Sequence, residues 1–169
     1  MRTFLPAAAL SAVSAAILLL LSGFVPQQSA SAADKAKFDR ESDPVRRAKL
    51  LPQLGTAEFQ DMRTQISAGN YDAALKIYQL YRDQVVETEK TLDAKDPNPA
   101  KHSSGYRQLE ISVREALRRS DDLAFEIPPE QKAPFSDVRN QLDQIDQRLI
   151  RELFPRDQTP GTAPAAPHS

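Results

Sequence analysis

The 169-residue chain contains no cysteine, no tryptophan and only 5 glycines. The missing cysteine excludes disulfides, thiolate metal sites, a cysteine nucleophile and a lipid-modified N-terminal cysteine. An oxidising compartment is permitted, but the domain must then be held by packing alone. Scattered as they are, the glycines cannot form a phosphate-cradling loop. Histidine occurs only as His102 and His168, both in stretches without helical or strand periodicity. A base or metal ligand there would not be preorganised. Ser103 and Ser104 lie too close to His102 in the chain to complete a Ser-His-Asp arrangement. Neither H-E-x-x-H nor the E-x-x-H of a di-iron bundle is present. The reading is therefore no catalytic residue, no metal and no cofactor.

Neither sign of charge is in excess. Against 22 basic side chains stand 23 acidic ones, a formal net charge of -1. Nucleic-acid binding through counterion release has no basic surplus to draw on, and neither has a general attraction to anionic membranes. Sparse glycine and few β-branched residues, set against abundant Ala, Leu, Gln, Glu and Arg, favour helix over sheet.

One long apolar run occurs, Ala7 to Leu21, behind the positive charge of Arg2. Gly23 and Pro26 break it, and Ala30-Ser31-Ala32 offers the small residues that a signal peptidase accepts. Residues 1–32 thus read as a cleavable signal peptide, with a mature start at Ala33. The alternative is a retained anchor, since Leu5 to Val25 is nearly long enough to span a bilayer. The expected location is periplasmic or secreted, without membrane contact after cleavage.

Four stretches of the remainder carry a 3.6-residue apolar period. An N-terminal extension (33–43) leads into a helical domain (44–154), and a disordered Pro/Ala-rich tail follows (155–169). Asp43 is placed to cap the first stretch and Pro44 suits its first position. Its stripe is Val45, Ala48, Leu51, Phe59, Met62 and Ile66, and Pro52 with Gly55 predicts a kink or short break within it. Gly69 closes that helix and Asn70 is placed to cap the second, whose stripe includes Tyr71, Ala74, Leu75, Tyr78, Tyr81, Val85, Thr88 and Leu92. A third helix, about Tyr106 to Glu126, follows the polar Pro-rich stretch 94–105. Its stripe is Tyr106, Leu109, Val113, Ala116, Leu117, Ser120, Ala124 and Ile127. Beyond Pro128-Pro129 the fourth repeats Phe135, Val138, Leu142, Ile145, Leu149 and Leu153, spacing that makes a seam against another helix. Together these predict an all-α fold, an antiparallel four-helix bundle built from two helical hairpins, with an open stack of the hairpins as the alternative.

The stretch Ala68 to Tyr78 resembles the centre of a tetratricopeptide repeat. Gly69 stands where that family closes its first helix, Tyr71 where an aromatic follows, and Ala74 where a small residue lets the helices approach. The resemblance implies a tetratricopeptide-like first hairpin and does not recur in the second. Ile127-Pro128-Pro129-Glu130-Gln131 is faintly similar to helix starts of Spy-type periplasmic chaperones, and Pro-Glu-Gln is in any case a good helix opening. Through Asp43 to Leu51 and Arg118 to Asp122 the mature region resembles small exported bacterial all-helical proteins, a resemblance that implies no activity.

Two sets of side chains are candidate partner-binding surface. Tyr71, Tyr78, Tyr81 and Tyr106 suit an interface, because a tyrosine ring buries while its hydroxyl stays wet, with the edge of the core as the alternative place for them. Arg46, Arg47 and Lys49 face Arg118 and Arg119 if the hairpins pack as expected, a cluster that either receives an acidic partner or is solvated charge paired with Asp121, Asp122 or Glu115. The acid pairs Asp121-Asp122 and Asp143/Asp146 read as solvated charge flanking the apolar stripes. The expected function is a non-enzymatic module binding a protein or peptide in the cell envelope. A chaperone-like protein binding unfolded clients is the alternative, and a homodimer through the fourth helix is allowed.

Overall fold

The computed structural model describes residues 30–155. The signal-peptide assignment lies outside them except for its last three residues, and the tail assignment except for Pro155. The described residues form an all-α fold of five helices without a strand: α1 (Ala30–Arg40), α2 (Pro44–Ser67), α3 (Tyr71–Lys95), α4 (Ser103–Leu123) and α5 (Lys132–Leu153). A 3-10 turn over Pro129–Gln131 precedes α5. None of these helices is long and apolar enough to cross a membrane.

The N-terminal extension contributes a helix. Phe38 of α1 is fully buried, and the Arg47 guanidinium lies 4.4 Å above its ring. Asp34 accepts from Gln53 of α2 at 2.7 Å. Asp43 caps α2 as expected, accepting from the Arg46 backbone N–H at 2.9 Å, and Pro44 takes the first position. The ammonium of Lys95 sits 2.6 Å from the other carboxylate oxygen. That ammonium, reinforced by the Arg46 N–H, holds the Asp43 carboxyl down to about 2.

Where a kink or break was expected at Pro52, α2 runs unbroken from Pro44 to Ser67. Thr56 Oγ1 donates to the Pro52 carbonyl at 2.8 Å. Gly55 is not an interruption but a point of close approach: a Cβ there would lie 2.9 Å from the buried ring of Tyr81. After Ser67 the chain closes in a Schellman turn. The Asn70 N–H donates to the Gln65 carbonyl at 2.8 Å and the Gly69 N–H to that of Ile66 at 2.9 Å. Gly69 takes φ +77°, which a side chain would strain. Asn70 does not cap α3 with its side chain, which donates instead to Gln65 Oε1 at 3.1 Å.

The four predicted stripes form one core. Leu51, Leu54, Val85, Leu109, Val113, Leu142 and Leu149 are fully buried. Each such side chain contributes roughly 1.5–3 kcal/mol on burial. The fourth stripe is buried against its own chain, so the seam offered to a second copy is already occupied. Helix α2 packs against α3 and α4, α5 packs against α4 and α3, and α1 lies on α2. Contacts run in opposite order along α2 and α3, from Asp43–Lys95 to Phe59–Tyr78. They run in the same order along α3 and α5, through Arg82–Gln141 and Glu89–Arg148. Helix α4 begins three residues earlier than expected because Gly105 lets its first turn close on Leu92.

Candidate functional site

The candidate tyrosines are core residues. Tyr78, Tyr81 and Tyr106 are almost fully buried and only Tyr71 is half-exposed. All three buried hydroxyls are satisfied, as burial of a polar atom requires. Tyr78 Oη shares a 2.5 Å hydrogen bond with Ser120 Oγ, Tyr81 donates to the Ser112 carbonyl at 3.1 Å, and Tyr106 donates to Asp93 and to the Asp96 carbonyl. Each ties α3 to α4. Phe59 meets the rings of Tyr78 and Tyr81 edge-on at 5.7 and 5.6 Å. Tyr81 and Tyr106 are closed off inside the folded chain, and Tyr78 borders open space only at the floor of a small cavity.

Nor do the arginines form one patch. Arg46 is exposed and held by Glu41 at 3.0 Å, while Arg47 turns toward Phe38 of α1. Arg119 bonds Glu115 and reaches Thr56, and Arg118 is held by Glu115. Thr56 lies ten residues along α2 from Arg46, roughly 15 Å at 1.5 Å per residue. Of the acid pairs, Asp121 is clamped by Arg139, and Asp122 is exposed. Asp146 is not solvated flank charge: it is buried between α4 and α5, one oxygen has no partner, and burial pushes its carboxyl up. His102 is exposed and contacts Asp96. Among the described residues no three His, Asp or Glu side chains converge as metal ligands.

What the structure does bring together lies at the α4–α5 junction. Helix α4 ends at Leu123, and the Glu126 N–H turns back onto the Leu123 carbonyl at 2.9 Å. Ala124 and Ile127 keep the phase of the α4 stripe, so Ile127 enters the core. Phe125 falls on the opposite side of the turn and is 88% exposed, the most exposed large apolar side chain among the described residues. Pro128, in extended conformation, and the 3-10 turn then delay α5 until Lys132. The delay leaves a small apolar cavity of about 50 Å³. Met62, Leu123, Ile127 and Phe135 wall it, and the Tyr78–Ser120 pair closes its floor. Burial pushes the Tyr78 hydroxyl up to about 12, so it stays a neutral donor.

Two cations stand at the mouth. Arg139 is engaged by Asp121 through two hydrogen bonds, of 2.6 and 3.2 Å. Lys132 is exposed and has no carboxylate within ion-pair distance among the described residues. A cavity near 150 Å³ is needed to enclose a benzene ring, so this one takes the tip of an aliphatic side chain and not an aromatic one. Sequence reasoning missed Phe125 and Lys132. The signal for Phe125 was its phase, because Ala124 and Ile127 carry the apolar stripe and leave the residue between them pointing outward. Comparison with protein-family models, with curated proteins and with solved structures gives no match.

Proposed function

We propose that the protein is a non-enzymatic, exported interaction module that docks a protein or peptide segment of the cell envelope at the α4–α5 junction. Its scaffold is two helical hairpins, α2/α3 and α4/α5, stacked as a four-helix bundle with α1 laid along the outside. The reversed order of contacts along α2 and α3 supports the hairpin. The shared order along α3 and α5 supports stacking of the hairpins with like helices side by side. The observation that carries the docking reading is an apolar cavity with a free ammonium at its mouth, on the same turn that leaves Phe125 almost fully exposed.

The partner segment presents an aliphatic side chain followed closely by a carboxylate. The aliphatic tip fills the space between Ile127 and Phe135, Lys132 meets the carboxylate, and Phe125, on the outer side of the same turn, offers the rest of the partner an apolar contact. Removing the exposed ring from water favours binding by roughly 25 cal/mol per Å² covered. Photo-crosslinking in the native envelope tests this, with the reactive residue replacing Ser136 at the cavity or Lys90 on the remote face of α3. One discrete adduct from position 136 and none from position 90 is the expected outcome. The same adducts from both positions would overturn the reading.

Binding of unfolded clients is a second reading, favoured by further exposed apolar side chains at Leu80, Val86, Ile111 and Phe154. They are spread over α3, α4 and the end of α5. Suppression of client aggregation that survives loss of Phe125 would select this reading.

A further inference from the structure

Helices α2 and α3 enclose a polar pair that is one hydrogen short. Glu58 is 4% exposed and Gln84 6%. Gln84 Nε2 donates to Glu58 Oε1 at 3.0 Å. The two remaining oxygens, Glu58 Oε2 and Gln84 Oε1, are both buried without a hydrogen-bond partner. Both are acceptors while Glu58 is ionised, and an unsatisfied buried acceptor is costly. Exchanging the amide's oxygen and nitrogen does not help, since it sets an oxygen against the carboxylate. One proton on Oε2 resolves both vacancies at once.

We propose that Glu58 and Gln84 form a proton-dependent clasp between α2 and α3. In the closed form the Glu58 carboxyl is neutral. It accepts from Gln84 Nε2 at one oxygen and donates its proton from the other to Gln84 Oε1, a two-bond ring. Loss of the proton to solvent breaks the second bond and leaves a buried anion facing an amide oxygen. This rests on the α2–α3 interface and is independent of the docking reading.

The surroundings supply no strong counter-charge. From α1, Lys35 is already paired with Asp39 at 2.9 Å. Asp61, on α2 itself, is acidic, and from α3 the Tyr81 hydroxyl is neutral and engaged with the Ser112 carbonyl. From α4, Glu115 and Arg119 act on the neighbouring Tyr81 and are paired with each other. Burial dominates accordingly and pushes the Glu58 carboxyl up to about 7, with the Gln84 hydrogen bond and Lys35 pulling the other way. The ordinary value, 4.5, applies to the unfolded chain. Below 4.5 both states hold the proton and the clasp's contribution is complete. Between 4.5 and about 7 only the folded state holds it, so folding weakens as pH rises. Each pH unit costs a factor of ten in the folding equilibrium, about 300-fold across the window.

The test is unfolding of the full chain by urea at several pH values from 5 to 8.5, for wild type and for Glu58→Gln. Glutamine keeps both hydrogen bonds without a titrating group. The difference in stability between variant and wild type is expected to grow with pH through the window and to level above about 7. A pH-independent difference would overturn the clasp, and would instead indicate a water molecule donating to both oxygens. A titration of the Glu58 carboxyl by carbon NMR in the wild-type chain needs no variant to fold. A midpoint near 7 supports the clasp, and one near the ordinary 4.5 refutes it.

Discussion

Residues 68–70 join α2 to α3, and residues 124–131 join α4 to α5, with opposite results. In the first, Gly69 adopts the left-handed conformation that lets two N–H groups cap the closing turn of α2, and the chain enters α3 at once. The helices behind it close until a Cβ at Gly55 would strike the Tyr81 ring. In the second, two prolines and a 3-10 turn set the start of α5 back from the end of α4. The stripes still pair, but the retreat leaves Phe125 in solvent and a cavity open beside Tyr78. The short connection leaves no large apolar side chain almost fully exposed at its turn, whereas the long one leaves Phe125 there. Between α2 and α3 the close fit has a limit, since Glu58 and Gln84 keep a polar vacancy that no apolar contact fills.

The largest expected effect comes from breaking the tight side. Tyr81→Ala removes a ring that packs on Phe59 and Gly55, together with its bond to the Ser112 carbonyl. A loss of about 3–5 kcal/mol follows from the cavity alone. Urea unfolding measures it, and a loss under about 1 kcal/mol would mean that the α2–α3 interface is not the closed one.

Gly69→Ala is a smaller break at the same junction. Nothing lies within 4 Å of the added Cβ, so the cost is conformational and not steric crowding. A left-handed alanine costs about 1–2 kcal/mol. A variant as stable as wild type would show that φ +77° is not required for the turn. No change in partner cross-linking is expected, because the proposed docking surface is at the α4–α5 junction.

The same contrast separates what the sequence makes legible from what it hides. The apolar stripes were legible because a 3.6-residue repeat over five or six turns has no other economical reading, and Leu142, Ile145 and Leu149 are buried as that period requires. Glycine chemistry was legible at Gly69, where a turn demands it, but not at Gly55, whose role depends on a ring 26 positions away in the chain. Tyr78 and Tyr81 were assigned to a surface on residue type although their phase already put them on the core side. Phe38 was invisible for a different reason: α1 has 11 residues, too few for a period to stand out around a single aromatic. Glu58 follows Leu54 and precedes Met62 by four residues each, so its burial was implicit in the stripe. Its polarity concealed it. The cavity was not legible at all, since it arises from the offset between α4 and α5, which no local pattern encodes.

The smallest effect on stability is expected where the effect on binding is greatest. Phe125→Ser removes a side chain that is 88% exposed and so loses almost no packing. Unfolding in urea should agree with wild type within about 0.5 kcal/mol. If the proposed docking holds, the cross-link from position 136 should be weakened or lost, because the apolar contact offered by Phe125 is gone while the cavity itself remains. The two measurements bear on different halves of the contrast. A clear loss of stability would mean that Phe125 belongs to the core and that the α4–α5 junction is as closed as the α2–α3 turn. Unchanged stability with an unchanged cross-link would leave the cavity and Lys132 as the whole docking surface, with Phe125 outside it.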